Sequence, residues 1–213
     1  MSGNHHSPPF HQIQPKRFVE SPYRRLSNVY IFESPKNNQR FAAFGIVCFA
    51  HLLLAEGRPD IVWYQPSEPP IMKDGSGFRQ TVLIKFNDQH CENWYFTHKS
   101  QSTSPKEEGG NDPVVVLKTE DQIRKAGLLP QNWLLLCAAQ NRARGLAYGR
   151  ELTALFRLLD EYAQIEVQQA LEAPNIDPGV MLAVIARQLA KGVLRTELVV
   201  SPFSRLSILA RVK

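Results

Sequence analysis

The sequence predicts an α/β chain: a mixed sheet with flanking helices, followed by three short helices and a β-hairpin. Strand-like and helical stretches alternate up to about residue 145, three helical stretches then succeed one another, and two β-branched-rich runs close the chain. The implied organisation is an extended N-terminal arm over 1–25, a core domain over 26–145 and a smaller domain over 146–213. No internal repeat is present.

The arm is rich in Pro, His, Gln and Ser. Residues 28–33 read as a short strand. Phe41 to Glu56 is apolar on nearly every face, which predicts a buried helix ended by Gly57 and the Arg58-Pro59 break. Ile61 to Tyr64 is strand-like and leads into a proline-studded turn. Asp74-Gly75-Ser76-Gly77 is a turn signal before the β-rich run Phe78 to Phe86, and Asn93 to His98 is an aromatic strand. A polar loop over 100–112 and a strand from Val114 to Leu117 follow. Thr119 with Asp121 and Gln122 opens a helix to Lys125, and Trp133 to Ala139 reads as a strand or a buried helix.

The periodicity then changes. Leu152, Leu155, Phe156 and Leu159 fall on one helical stripe between Gly149 and Tyr162. Ile165 to Leu171 predicts a second helix closed by Ala173-Pro174. Asp177 caps a third, with Pro178 in its first turn and Gly192 at its end. Leu194 to Val200 and Leu206 to Val212 form the hairpin. Three helices and a hairpin in this order predict a C-terminal winged helix-turn-helix.

Of 213 residues, 25 are Lys or Arg and 20 are Asp or Glu, for a net charge of +5. From Pro178 to Lys213 six basic residues meet one acid, Glu197, so the remaining chain is neutral. A basic C-terminal segment on a neutral body points to a polyanion at one end. The most apolar stretch, Phe41 to Ala55, contains Gly45 and His51 and falls short of the roughly 20 residues a spanning helix needs. The N-terminus has no charged start followed by an apolar core, so no signal peptide is expected. Three widely separated cysteines, Cys48, Cys91 and Cys137, fit buried or half-buried thiols in a reducing cytoplasm.

In a winged helix the third helix enters the major groove while the hairpin reaches along the backbone. Met181, Leu182, Val184, Ile185 and Leu189 supply its buried stripe, which leaves Arg187, Gln188 and Lys191 to face outward. Arg195, Arg205 and Arg211 stand on the hairpin, where phosphate contacts are expected. These six residues are the candidate DNA-binding set.

Residues 32–99 resemble the TnsA endonuclease subunit of heteromeric transposases, a family with a restriction-endonuclease-like fold. The resemblance runs through Phe32-Glu-Ser-Pro-Lys36 with Arg40, Phe44-Gly-Ile-Val-Cys-Phe49 and Leu52-Leu-Leu-Ala-Glu56. Arg58-Pro-Asp-Ile-Val62, Gln65-Pro66, Gly77, Leu83-Ile-Lys-Phe86 and Phe96-Thr-His-Lys99 continue it. It implies a restriction-endonuclease-like mixed sheet, a C-terminal winged helix, double-stranded DNA at a transposon end or its flank, and an integrase-type transposase as partner. The catalytic set implied by the family departs here. Its helix acids fall at Gly45 and Phe49, its metal-binding Asp at Lys85 and its last acid or Gln at Thr97; only Lys99 remains. A phenylalanine cannot ligate, and a lysine at the Asp position puts a cation where Mg²⁺ would sit. The reading is a non-catalytic, cofactor-free scaffold, with Lys85 and Lys99 free to contact phosphate in the vestigial cleft.

Two alternatives stay open. One is an active Mg²⁺-dependent nuclease with Glu33, Asp88 and Glu92 as relocated acids beside Lys99. The other is a protein–protein interaction subunit without DNA affinity. The oligomeric state is open, a homo-oligomer included. Weaker constellations have plainer readings. His90-Cys91 with His98 lacks a fourth ligand at zinc spacing; Cys48 with His51 reads as two core residues rather than a nucleophile pair; His5, His6 and His11 read as solvated. Trp63, Tyr64, Trp94, Tyr95 and Phe96 read as sheet residues of a core or partner interface.

Overall fold

Gly45, at φ 88°, divides the apolar stretch from Phe41 to Glu56 into a strand and a helix. The single expected helix is thereby corrected: Gln39–Phe44 pairs antiparallel with Val29–Ser34, and only Ile46–Glu56 is helical. A continuous apolar run carries no period with which to tell the two apart. The computed structural model describes residues 28–67, 71–72, 78–97 and 113–212. The N-terminal arm, the turn at 74–77, His98, Lys99 and the loop at 100–112 lie outside the described residues.

In chain order the elements are β1 (Val29–Ser34), β2 (Gln39–Phe44), α1 (Ile46–Glu56), β3 (Ile61–Pro66), the two-residue ribbon β4 (Ile71–Met72) with β5 (Phe78–Arg79), β6 (Thr81–Phe86), β7 (Cys91–Thr97) and β8 (Val114–Thr119). Helices α2 (Glu120–Lys125) and α3 (Leu129–Arg142) follow, then α4 (Gly149–Tyr162), β9 (Gln164–Glu166), α5 (Val167–Leu171), α6 (Pro178–Ala190), β10 (Leu194–Arg195) and β11 (Ile208–Arg211). The run Trp133 to Ala139 is thus helical, inside α3. The chain is α/β, with a mixed four-stranded sheet in the order β3-β6-β7-β8: β3, β6 and β7 are antiparallel neighbours, and β8 runs parallel to β7.

Helix α1 lies on one face of this sheet, where His51 meets the rings of Trp94 and Phe96 at 6.3 and 5.9 Å. Its other side packs on α3, and α3 runs along α6, which α4 and α5 also contact. Buried residues from Phe32 to Leu209 therefore form one continuous cluster, and no gap in the core coincides with residue 145. The packing is close where α1 ends: a Cβ built on Gly57 would lie 2.1 Å from Trp133 Cε2.

Several predicted ends hold. Thr119 and Gln122 form a reciprocal capping box on α2, and Asp177 accepts from the Val180 amide at the start of α6. Two expectations change. The second helix begins at Val167, because Gln164–Glu166 is a strand paired with β11. The hairpin strands are short, leaving residues 196–207 as a connection rather than continuous strand. Among the described residues no helix is long and apolar enough to cross a membrane.

Candidate nucleic-acid interface

The C-terminal unit exposes Lys191 at the C-cap of α6, Arg195 on β10 and Arg205 on the connection between β10 and β11. Helix α6 buries Val180, Met181, Ala183, Val184, Ile185, Ala186, Gln188 and Leu189, because α3 covers the side that a free three-helix unit would leave open. Gln188 is only 6% exposed, which overturns the expectation that it faces outward. Arg187 is half-buried, with its guanidinium 4.6 Å above the Tyr148 ring. Lys191, at the C-cap, is exposed. The sequence could not reveal the covering, since α3 lies some forty residues upstream of α6.

The connection is held rigidly at its base. Asn132 on α3 donates to the carbonyls of Leu198 at 2.8 Å and Ser201 at 2.9 Å, and its Oδ1 accepts from the Phe203 amide at 2.8 Å. The Leu128 amide donates to the Val199 carbonyl at 2.8 Å. Glu197 accepts from the Val199 and Val200 amides, which holds its carboxyl below the usual range. At the far end Ser204 and Ser207 close a turn, the Ser207 amide donating to the Ser204 carbonyl at 3.1 Å. Arg205 and Leu206 occupy its corners, and both are exposed. Phe203 and Leu198 are buried beneath, so the turn stands on a packed base.

Arg195, on β10, is also exposed. Among the described residues no carboxylate lies within ion-pair distance of Lys191, Arg195 or Arg205. Arg211 differs: it pairs with Asp160 at 2.7 Å, donates to the Phe156 carbonyl at 3.2 Å and lies over the Phe156 ring. That guanidinium fastens β11 to α4.

Among the described residues, the positions of the nuclease resemblance do not come together on one face. Gly45 caps α1, and its amide donates to the Asn28 carbonyl at 2.8 Å. Phe49 stacks on Tyr30 at 4.7 Å and meets Phe32 edge-on at 6.0 Å, so it belongs to an aromatic cluster. Along β6, Val82, Ile84 and Phe86 are buried towards α1, which by strand alternation turns Lys85 to the opposite face. Thr97 shares that opposite face, because Trp94 and Phe96 both face α1.

The relocated acids are also dispersed. Glu33 pairs with Arg144, in the turn just after α3, at 2.5 Å, Asp88 pairs with His90 in the exposed β6–β7 turn, and Glu92 accepts from Trp94 Nε1 at 2.6 Å. Among the described residues no three His, Cys, Asp or Glu side chains gather as metal ligands would. Cys48 donates to Gln80 Oε1 at 3.2 Å, and burial pushes its thiol up to about 12. His51 Nε2 reaches the Thr119 carbonyl at 3.0 Å, and burial lowers its pKa to about 4. Each has its own partner, as core residues do.

One polar cluster escaped the sequence reading. Glu56, 1% exposed at the end of α1, accepts from Ser34 Oγ and Tyr64 Oη, both at 2.5 Å, and from the Lys36 amide at 3.1 Å. The Lys36 ammonium donates to the carbonyls of Arg58 at 3.1 Å and Ile61 at 2.8 Å. Burial raises Glu56 and lowers Lys36 against their mutual attraction. The Ser34 and Lys36 of the quoted motif thus brace the junction of β1, α1 and β3. Compared with protein-family models, curated proteins and solved structures, the chain matches none.

Proposed function

We propose that this chain is a non-catalytic, duplex-DNA-binding component of a transposition or mobile-element assembly, with a TnsA-like, restriction-endonuclease-derived core and a C-terminal winged helix. The observation that carries the reading is the order of the C-terminal elements. A helix, a short strand, two helices and a hairpin follow one another, the strands forming a three-stranded sheet in the order β10-β11-β9, with Arg195 unpaired on β10 and Arg205 unpaired on the connection between β10 and β11. β10, β11 and the connection between them are the wing. For the core, a mixed sheet with α1 on one face is the coarse architecture the resemblance calls for.

The mode of contact differs from groove reading by the third helix. With α3 laid along α6, the wing and the C-cap of α6 carry the available charge, as Arg195, Arg205 and Lys191. Such contacts go to phosphates, carry little sequence information and weaken steeply with salt. The partner by resemblance is an integrase-type transposase, and the protein contributes binding rather than cleavage.

Titration of a labelled duplex at rising salt tests the reading. Binding at low salt that falls log-linearly with salt supports it; absence of binding at the lowest salt overturns it. A specific observation favours a protein-binding role as second reading: Val200 and Leu206, on the connection that carries Arg205, are 75% and 70% exposed. Capture of a transposase subunit that persists without DNA and is lost on Leu206→Asp would favour it.

A further inference from the structure

A second basic feature lies at a cavity of about 290 Å³ between the β1–β2 turn, the end of α1, α3 and the end of α6. Lys36, Gln140, Arg187 and Lys191 line it, with Glu56 as its one acid. Gln140 is 7% exposed, and its Nε2 finds no acceptor within the protein. A buried amide donor left unpaired costs more than the bond it forgoes, so a native structure that keeps one has a use for it or an occupant. Among the described residues neither Arg187 nor Lys191 has a carboxylate within ion-pair distance.

Glu56 does not neutralise this wall. Both its oxygens are engaged by Ser34, Tyr64 and the Lys36 amide, and this one acid meets three basic side chains in the lining. The Lys36 side chain donates to two backbone carbonyls beside the cavity. A basic residue near the C-terminus of α6 also complements that helix's dipole. Dipole complementation leaves the Gln140 donor unexplained.

We infer that this cavity binds a single oxyanion of the phosphate class, held by Arg187, Lys191 and the Gln140 amide. Arg187 is suited to it: the Tyr148 ring supports the flat guanidinium and leaves its edge N–H groups for oxygen acceptors. The occupant is a free phosphate or a phosphate group on a nucleic-acid end. The site shares Lys191 with the proposed duplex contacts but neither Arg195 nor Arg205, and its test does not depend on duplex binding.

Inorganic phosphate is titrated into the full chain at constant ionic strength and followed by ¹H–¹⁵N spectra. The expected result is saturable shifts of the Gln140 side-chain amide and of backbone amides over 187–191. Arg187→Gln with Lys191→Gln should weaken the affinity about tenfold or more, and Gln140→Glu should abolish saturation by placing a carboxylate in the wall. Arg195→Ala with Arg205→Ala should leave it unchanged. Linear, non-saturating shifts, or equal affinity in the two cavity variants, would overturn the site. Spectral dispersion reports whether each variant folds, and Gln140→Glu is near-isosteric, so it decides the matter if the double variant does not fold. Competition by a 5′-phosphorylated duplex but not by its unphosphorylated twin identifies the nucleic-acid source; equal behaviour of the two identifies free phosphate.

Discussion

Asn132 Oδ1 accepts a hydrogen bond from the Phe203 amide at 2.8 Å, while the same side chain donates to the backbone carbonyls of Leu198 and Ser201. One α3 side chain therefore fixes three points of the segment between β10 and β11. Asn132→Ala would leave a buried amide and two carbonyls unpaired. The expected cost is roughly 2–4 kcal/mol, read as a lower midpoint in urea unfolding, with faster hydrogen exchange over 198–203. Unchanged exchange there would show that the wing is held by other means.

Gly57 lies against the Trp133 ring with no room for a methyl group. Gly57→Ala should destabilise by roughly 1–3 kcal/mol through overpacking. Trp133→Phe in the same chain should recover part of that loss, because it removes the indole atoms nearest the new Cβ. Additive losses in the double variant would place the strain elsewhere.

The Glu56 cluster joins three elements through buried polar atoms. Ser34→Ala should cost roughly 1–2 kcal/mol by removing one donor. Glu56→Ala should cost more, about 3–5 kcal/mol, because the Tyr64 hydroxyl, the Lys36 amide and the Lys36 charge lose their partner inside the protein. Equal effects of the two substitutions, measured by chemical denaturation, would contradict the network.

His51 makes stability depend on pH. Burial depresses its folded pKa to about 4, below the ordinary histidine value, so between those two pH values the unfolded chain binds more protons. Its contribution is complete above the unfolded value and is lost as pH falls towards 4, by an amount on the order of 3 kcal/mol. Glu56, whose pKa is raised, acts in the opposite sense: its contribution is present below the ordinary carboxylate value and is lost as pH rises. The check is therefore the difference between wild type and His51→Gln in urea midpoints from pH 7 to pH 4. That difference should shrink on acidification; a constant difference would contradict the assignment.

Local signals carried much of this architecture. The leucine stripe of α4, the caps at Thr119 and Asp177 and the stop at Gly192 all depend on neighbours within four residues, and each reappears in the structure. The features that escaped depend on distant partners. β2 hid inside an apolar run, and only the positive φ of Gly45 separates it from α1. Gln188 looked exposed because its burial depends on the packing around α6, with α3 along one side. The Glu56 cluster assembles Ser34, Lys36 and Tyr64, polar residues that no spacing rule connects. Of the candidate site, the exposure of Lys191, Arg195 and Arg205 was legible from charge placement, whereas the fastening of Arg211 to Asp160 was not.

The central claim is that the wing, rather than the third helix, carries duplex binding. The direct measurement is the salt dependence of duplex affinity for wild type, for Arg195→Ala with Arg205→Ala, and for Arg187→Ala. Losing two phosphate contacts should lower the magnitude of the log–log salt slope by about 2 in the wing variant, while Arg187→Ala keeps the wild-type slope. An unchanged slope in the wing variant, with binding lost in Arg187→Ala, would contradict the account.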